Sequence, residues 1–179
     1  GVSGIELNSL YLSGQYRPRV YWSNIEFNEI NQDSKNKIIK DYLEKKPDNK
    51  YFFNLNLNNI NKINNQKKLT SGINKIFIIP REQLKDNERQ RRVYDINGKS
   101  PTLLARSDTP KIFINKRIRK LTPLECERLQ GLPDNYTSDF SNTTRYKMIG
   151  NGFTVPVIKY ILSFIGKKTT KKKQLELFH

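Results

Sequence analysis

The chain has 179 residues, 33 of them Lys or Arg and 17 Asp or Glu, for a formal net charge of +16. So basic a balance favours a polyanionic partner, because each phosphate neutralised releases condensed counterions. The single Cys excludes an internal disulfide, a lone Cys with the C-terminal His179 gives no Cys/His metal cluster, and neither a secretory leader nor an apolar run approaching ~18 residues is present. Ile5 to Leu12 partly alternates apolar and polar residues, and Val20 to Ile25 is rich in residues that suit strands, which predicts two strands around a loop. That loop carries Gln15, Arg17 and Arg19. In extended backbone a spacing of two places both guanidinium groups on one face. A pair of solvated loop arginines is the plain alternative.

From Phe27 to Lys116 the chain changes character. Ile38 to Glu44 has Ile38, Ile39, Tyr42 and Leu43 at helical spacing, enough for one or two turns that end before Lys46-Pro47-Asp48-Asn49. Asn54 to Lys68 is rich in Asn and Lys, close to low complexity, and is expected to be a loop. Lys75 to Ile79 is a short apolar strand closed by Pro80-Arg81. Arg89 to Asp95 is strongly basic, and an Asn97-Gly98 pair between apolar runs predicts a hairpin up to Arg106. Lys111 to Asn115 is the last strand candidate.

Lys120 to Asp134 reads as a helix with both ends specified. Thr122 is an N-cap, Pro123 takes the first helical position, and Glu125 completes a Thr-x-x-Glu capping box. Leu121 and Cys126 stand where a hydrophobic staple would, Leu129 continues the apolar face, and Gly131 and Pro133 stop the helix. Tyr136 to Thr144 is polar and loop-like. Tyr146 to Asn151 then leads through a Gly-Asn-Gly turn into a helix with Val157, Ile158, Ile161, Leu162 and Ile165 on one face, ended by Gly166. Lys167 to Lys173 holds five lysines around two threonines and is expected to be a solvated tail.

Arg119 to Asp134, followed by Tyr146-Lys147-Met148-Ile149-Gly150-Asn151, resembles the last two motifs of the cytosine-carbon-5 DNA methyltransferases in order and spacing. Gln15-x-Arg17-x-Arg19 is similar to that family's Gln-x-Arg-x-Arg motif. The resemblance implies an α/β fold: the C-terminal part of a doubly wound S-adenosylmethionine-dependent methyltransferase fold plus a small, mainly β or irregular target-recognition domain. The expected division is 1–28 for the last strands of the catalytic domain, 29–116 for target recognition, 117–166 for the return to the catalytic domain and 167–179 for the basic tail. The resemblance gives Arg19 the cytosine 2-carbonyl oxygen, with Arg17 and Gln15 shaping that pocket. Attack at carbon 6 pushes electron density onto the ring, and a fixed cation at the carbonyl stabilises it. The recognition region of the family ends in a Thr-Leu pair, matched by Thr102-Leu103, so Thr102 would lie near the target base. Arg81, Arg91, Arg92, Lys99 and Arg106 are candidates for phosphate or base-edge contacts. Asn151, Gly152 and Phe153 are candidates for one side of the S-adenosylmethionine pocket.

Methylating carbon 5 of cytosine needs a thiolate that adds to carbon 6, an acid group at the ring nitrogen, a bound methyl donor and a flipped base. Cys126 follows Glu125 instead of the family's Pro-Cys motif, and its helical position predicts a packed, inert thiol. Neither a Glu-Asn-Val motif nor the glycine-rich cofactor loop occurs. Gly1 in place of an initiating Met fits a fragment or a processed chain. The expectation is therefore the C-terminal half of a DNA (cytosine-5-)-methyltransferase, inactive alone, with double-stranded DNA and an N-terminal half as partners. That half would lie in the same full-length chain or in a separate subunit. S-adenosyl-L-methionine is the expected cofactor, no metal or membrane is involved, and a bacterial or phage-type cytoplasm with a restriction–modification setting suits the family. The alternative is a basic DNA-binding protein without catalysis, or an inactive remnant. Whether an upstream or adjacent frame encodes the glycine-rich loop and Pro-Cys motif separates the two. A generic RNA-binding domain lacks support, since the aromatic stacking motifs of common RNA modules are missing.

Overall fold

In the computed structural model, which describes Val2 and residues 4–30, 37–57 and 72–166, the alternation near the start of the chain becomes an antiparallel pair. Its strands are β1 (Gly4–Asn8) and β2 (Pro18–Trp22), with Ile5 opposite Tyr21 and Leu7 opposite Arg19. A two-stranded sheet cannot bury its own apolar face. Leu7 instead packs with Phe27, Ile30, Val157 and Ile161, the last two from helix α4 (Val155–Leu162) at the far end of the described chain. The opposite face of the pair leaves Val20 and Trp22 exposed.

A second sheet has the order β3-β7-β6-β5-β4, from β3 (Phe52–Phe53), β4 (Lys75–Ile78), β5 (Arg92–Asp95), β6 (Lys111–Ile114) and β7 (Arg117–Lys120). A four-residue helix, α1 (Glu88–Arg91), leads into β5. All pairings are antiparallel except β5 with β6. That exception corrects the expected Asn97-Gly98 hairpin. The turn forms, with the Gly98 N–H donating to the Asp95 carbonyl at 3.2 Å, but the chain beyond it leaves the sheet. Ser100 pairs with Gln15 in a parallel bridge, and the chain returns only at β6.

The β6–β7 hairpin turns on Asn115 and Lys116, both left-handed at φ 49° and 58°, the conformation whose twist matches the flanking strands. Three of the four β7 residues are cations, so hydrophobic alternation does not reveal the strand. Ile118 and Arg119 are nevertheless buried. The hairpin ties 117–120 to the five-stranded sheet, and the chain leaves that sheet at Leu121.

Helix α2 (Pro123–Gln130) has the predicted ends. The Glu125 N–H donates to Thr122 Oγ1 at 3.2 Å, and Glu125 Oε2 accepts from the Thr122 N–H at 2.9 Å. Gly131 takes the left-handed position at φ 77°, and a Cβ there would lie 2.5 Å from Pro156 Cδ, so glycine lets the start of α4 lie against the end of α2. The buried face carries Leu121, Cys126 and Leu129 into one core with Ile39, Tyr42, Tyr94, Leu103, Ile112, Tyr146 and Ile149. Fully burying each aliphatic side chain contributes about 1.5–3 kcal/mol, and this core spans everything from the 3-10 turn Ile39–Tyr42 to α3 (Asn142–Asn151).

Tyr136 to Ser141 stays non-helical as expected, but helix α3 takes in the end of that loop from Asn142 and the start of the expected Gly-Asn-Gly turn. Ser141 caps it through its side chain, Tyr146 and Ile149 bury one stripe, and Gly150 and Asn151 form its last turn. Helix α4 stops at Leu162, short of the predicted Ile165. Most of Asn54 to Lys68 and the tail from Lys167 to Lys173 lie outside the described residues.

Candidate functional site

Three segments far apart in sequence meet at Gln15 and Arg17. Asn8 holds the loop in shape, its Oδ1 accepting the Leu10 N–H at 3.1 Å and the Arg17 N–H at 3.0 Å. Gln15 is fully buried: its Oε1 accepts the Leu103 N–H at 2.9 Å, and its Nε2 donates to Gln130 Oε1 at 3.1 Å. Arg17, 6% exposed, donates from Nη1 to the Leu103 carbonyl at 2.9 Å and from Nη2 to the carbonyls of Gly150 (2.8 Å) and Gly152 (3.1 Å). A planar fork of donors suits three carbonyls from two segments better than a point charge. Burial, and then the charge of Arg19, draw the Arg17 pKa below its ordinary value. α3 can approach this closely because Gly150 has no side chain; a Cβ there would sit 2.2 Å from the Leu104 carbonyl oxygen.

Gln130 and Thr154 complete the junction, and neither stood out in the sequence. Gln130 Nε2 donates to the Ile149 carbonyl at 2.7 Å and the Gly152 carbonyl at 3.2 Å, while its Oε1 accepts from Thr154 Oγ1 at 2.8 Å. The available signal was a Gln adjoining the apolar face of a capped helix, since a buried carboxamide must find partners.

The two arginines therefore part company, against the expectation of a shared face. Arg17 precedes β2 and points into the protein, whereas Arg19 lies within β2 and is exposed, with only the neighbouring Pro18 carbonyl as a hydrogen-bond partner among the described residues. Tyr21 feels both cations, and burial raises its pKa. Its ring lies 6.1 Å from that of Phe153, which is 67% exposed. Asn151 beside it is also exposed. Arg19, Tyr21, Asn151 and Phe153 thus stand on the accessible side of the segments that Arg17 ties together.

The residues expected at DNA are placed differently from one another. Thr102 is partly accessible, with Oγ1 donating to the Tyr16 carbonyl at 2.9 Å. Leu103 is core, 3% exposed, with its amide and carbonyl both taken by the Gln15–Arg17 junction. Lys99 is also 3% exposed, and its three protons go to backbone carbonyls. Arg91 is turned inward to the Asp86 and Ile79 carbonyls, and Arg92 pairs with Glu88 at 2.8 Å. Arg81 and Arg106 are exposed.

Cys126 is 1% exposed, and burial pushes its thiol pKa well above the ordinary value, with Glu125 and Glu127 adding to the effect. It is packed as its helical position predicts. Among the described residues no group of His, Cys, Asp and Glu could hold a metal ion, and no helix is long and apolar enough to cross a membrane.

Comparison with known proteins places this geometry in a lineage. A family model described as C-5 cytosine-specific DNA methylase matches residues 11–167. The type II methyltransferase M.HgiCI of Herpetosiphon aurantiacus is 41% identical over 70 residues, covering 38% of this chain and 16% of that protein. M.HhaI of Haemophilus parahaemolyticus is 35% identical over 86 residues, covering 45% of this chain and 26% of that protein. Among solved structures, the S. pombe Dnmt2 methyltransferase is similar in fold, with a TM-score of 0.60 at 16% identity over 91% of this chain and 56% of that one. The chain thus spans about half the length of that methyltransferase, and the matched segments 16% and 26% of the two curated relatives. With the model match running through the Gln15–Arg17 junction, the capped helix and both later helices, the chain belongs to the C-5 cytosine-specific DNA methylase family.

Proposed function

We propose that this chain is the C-terminal portion of a DNA (cytosine-5-)-methyltransferase, which reads a DNA sequence and completes the cytosine and S-adenosylmethionine pockets when an N-terminal half is present. The observation that carries this reading is the junction in which Arg17 holds the Leu103, Gly150 and Gly152 carbonyls at once. It fastens together the three segments that resemble the family's cytosine loop, recognition end and cofactor turn. What remains accessible around it has suitable chemistry. Arg19 offers a free cation to the cytosine 2-carbonyl, Thr102 stands close by in the chain that leaves the recognition region, and Arg81 and Arg106 are available for phosphate. The exposed carboxamide of Asn151 and ring of Phe153 fit a ligand with a polar amino-acid end and a flat heteroaromatic base, as S-adenosylmethionine has. That cofactor, when bound, supplies the methyl group.

The nucleophile has to come from the N-terminal half, because the buried Cys126 cannot act, and the chain alone is inactive. The pattern of exposed apolar surface supports such a partner. Among the described residues every large exposed hydrophobic, Trp22 (69%) and Ile165 (64%) included, lies within 2–22 or 136–165, and none lies in the recognition sheet. Those are the segments expected to belong to the catalytic domain. A restriction–modification setting is in keeping with the relatives, both named type II methyltransferases. Replacing Arg19 with Ala in the assembled enzyme is expected to lower methyl transfer roughly a hundredfold, as for loss of one donor to a developing oxyanion. DNA affinity should change little. Radiolabel transfer and a DNA-binding titration check this, and unchanged turnover would refute the role given to Arg19.

A further inference from the structure

Lys99 has a cradle of its own. Its ammonium donates to the carbonyls of Leu10 at 2.7 Å, Ser13 at 3.0 Å and Lys37 at 2.6 Å. A lysine has three donors and no acceptor, so its capacity is used in full. Two of those carbonyls belong to the segment that leads into Gln15; the third stands at the entry to the recognition region. The backbone on either side is stitched to the same partners. Lys99 N–H donates to Gly72 at 2.8 Å, Ser100 N–H to Gly14 at 2.7 Å, Tyr16 N–H to Ser100 at 2.8 Å and Ile39 N–H to Gly98 at 2.9 Å.

We propose that Lys99 is a positioning residue, whose buried ammonium fastens the loop carrying Gln15, Arg17 and Arg19 to the first turn of the recognition region. The consequence for catalysis rests on the function proposed above; the fastening itself does not. Three converging carbonyls suit a compact ammonium, whereas a planar guanidinium cannot meet all three and a thioether leaves them without a donor. The charge that acts on Lys99 is Asp41, in the turn Ile39–Tyr42, which holds the proton on. Tyr42, whose hydroxyl oxygen accepts the Gly14 N–H at 2.9 Å and whose pKa is raised by burial, is uncharged here, and Lys37 Nζ lies 5.9 Å from its ring centroid.

Burial lowers the Lys99 pKa to about 8. Below that value the amine is protonated and all three hydrogen bonds can form.

The test is amide hydrogen exchange on this chain, read at the Tyr16 and Ser100 amides as protection relative to intrinsic rates at about pH 7, where the ammonium is protonated. Lys99→Met should lower protection at these two amides about tenfold or more, leaving the Cys126 and Leu129 amides of α2 unchanged. Lys99→Arg, which keeps the charge but cannot meet all three carbonyls, should recover only part of that protection. In wild type the Lys99 ammonium protons should themselves exchange slowly enough to be seen by nitrogen-15 NMR. If Lys99→Met leaves Tyr16 and Ser100 as protected as in wild type, or if the wild-type ammonium exchanges as fast as an exposed lysine, the proposal is overturned; the second reading needs no variant to fold. Methyl transfer is measured separately with the N-terminal half. Loop amides that respond as expected in a chain that never supports methylation would sink the proposed function and leave the role of Lys99 standing.

Discussion

Replacing Arg17 with Ala is expected to destabilise the fold by about 3–5 kcal/mol, read as a lower denaturant midpoint at unchanged m. The magnitude follows from what is left behind. The Leu103 and Gly150 carbonyls lose their charged donor outright, each buried oxygen costing about 1–3 kcal/mol, while Gly152 keeps Gln130 at 3.2 Å. Arg17→Lys should recover less than half of the loss, because one ammonium cannot reach Leu103 and Gly150 in the geometry of a fork. Arg19→Ala, on an exposed side chain bonded only to the adjacent carbonyl, should shift stability by less than about 0.5 kcal/mol. Two arginines two residues apart thus give opposite signatures, one in stability and one in turnover. A shift below about 1 kcal/mol for Arg17→Ala would mean that the three segments are held by something else.

A loss of similar size is expected for Glu125→Gln. The Glu125 carboxylate is fully buried and accepts four donors: both Arg119 terminal nitrogens at 2.7 Å, the Thr122 N–H at 2.9 Å and the Glu44 N–H at 2.9 Å. Arg119 is 1% exposed and its Nε has no partner among the described residues, so the fork on Glu125 is what compensates its charge. Removing the carboxylate charge leaves a buried cation uncompensated, at a cost of about 3–5 kcal/mol. Removing both charges together, as Arg119→Met with Glu125→Leu, should recover a large part, since hydrophobic replacement of a complete buried pair is often close to neutral. A double-mutant cycle measures this, and additive losses would show that the two side chains are not coupled. The position matters because Arg119 is in β7 and Glu125 in α2, so the pair ties the helix to the strand from which the chain leaves the five-stranded sheet.

The capped helix was legible because its determinants are local: Thr122, Pro123, Glu125 and Gly131 act within a few residues of one another. The β1–β2 pair was legible for the same reason, through alternation. β7 was hidden because Arg119, a cation, occupies a core position that only Glu125, six residues on, makes tolerable. Helix α3 was hidden because its Gly-Asn end reads as a turn, while the contacts that make it a helix, Tyr146 on the Leu121 carbonyl and Ile149 in the core, belong to tertiary structure. The site shows the same division. Residue types at Gln15, Arg17 and Lys99 were visible, but that all three turn inward is set by partners 62 to 135 residues away. A motif names residues; their acceptors decide whether each meets the ligand or holds the structure that does.

The proposal that this chain is half of a cytosine methyltransferase is tested most directly by mixing it with an N-terminal half carrying the glycine-rich loop and the Pro-Cys motif, double-stranded DNA and labelled S-adenosylmethionine. Label at carbon 5 of cytosine is expected only when both halves are present. Label with this chain alone, or none with a half proven competent beside another C-terminal portion, would contradict it.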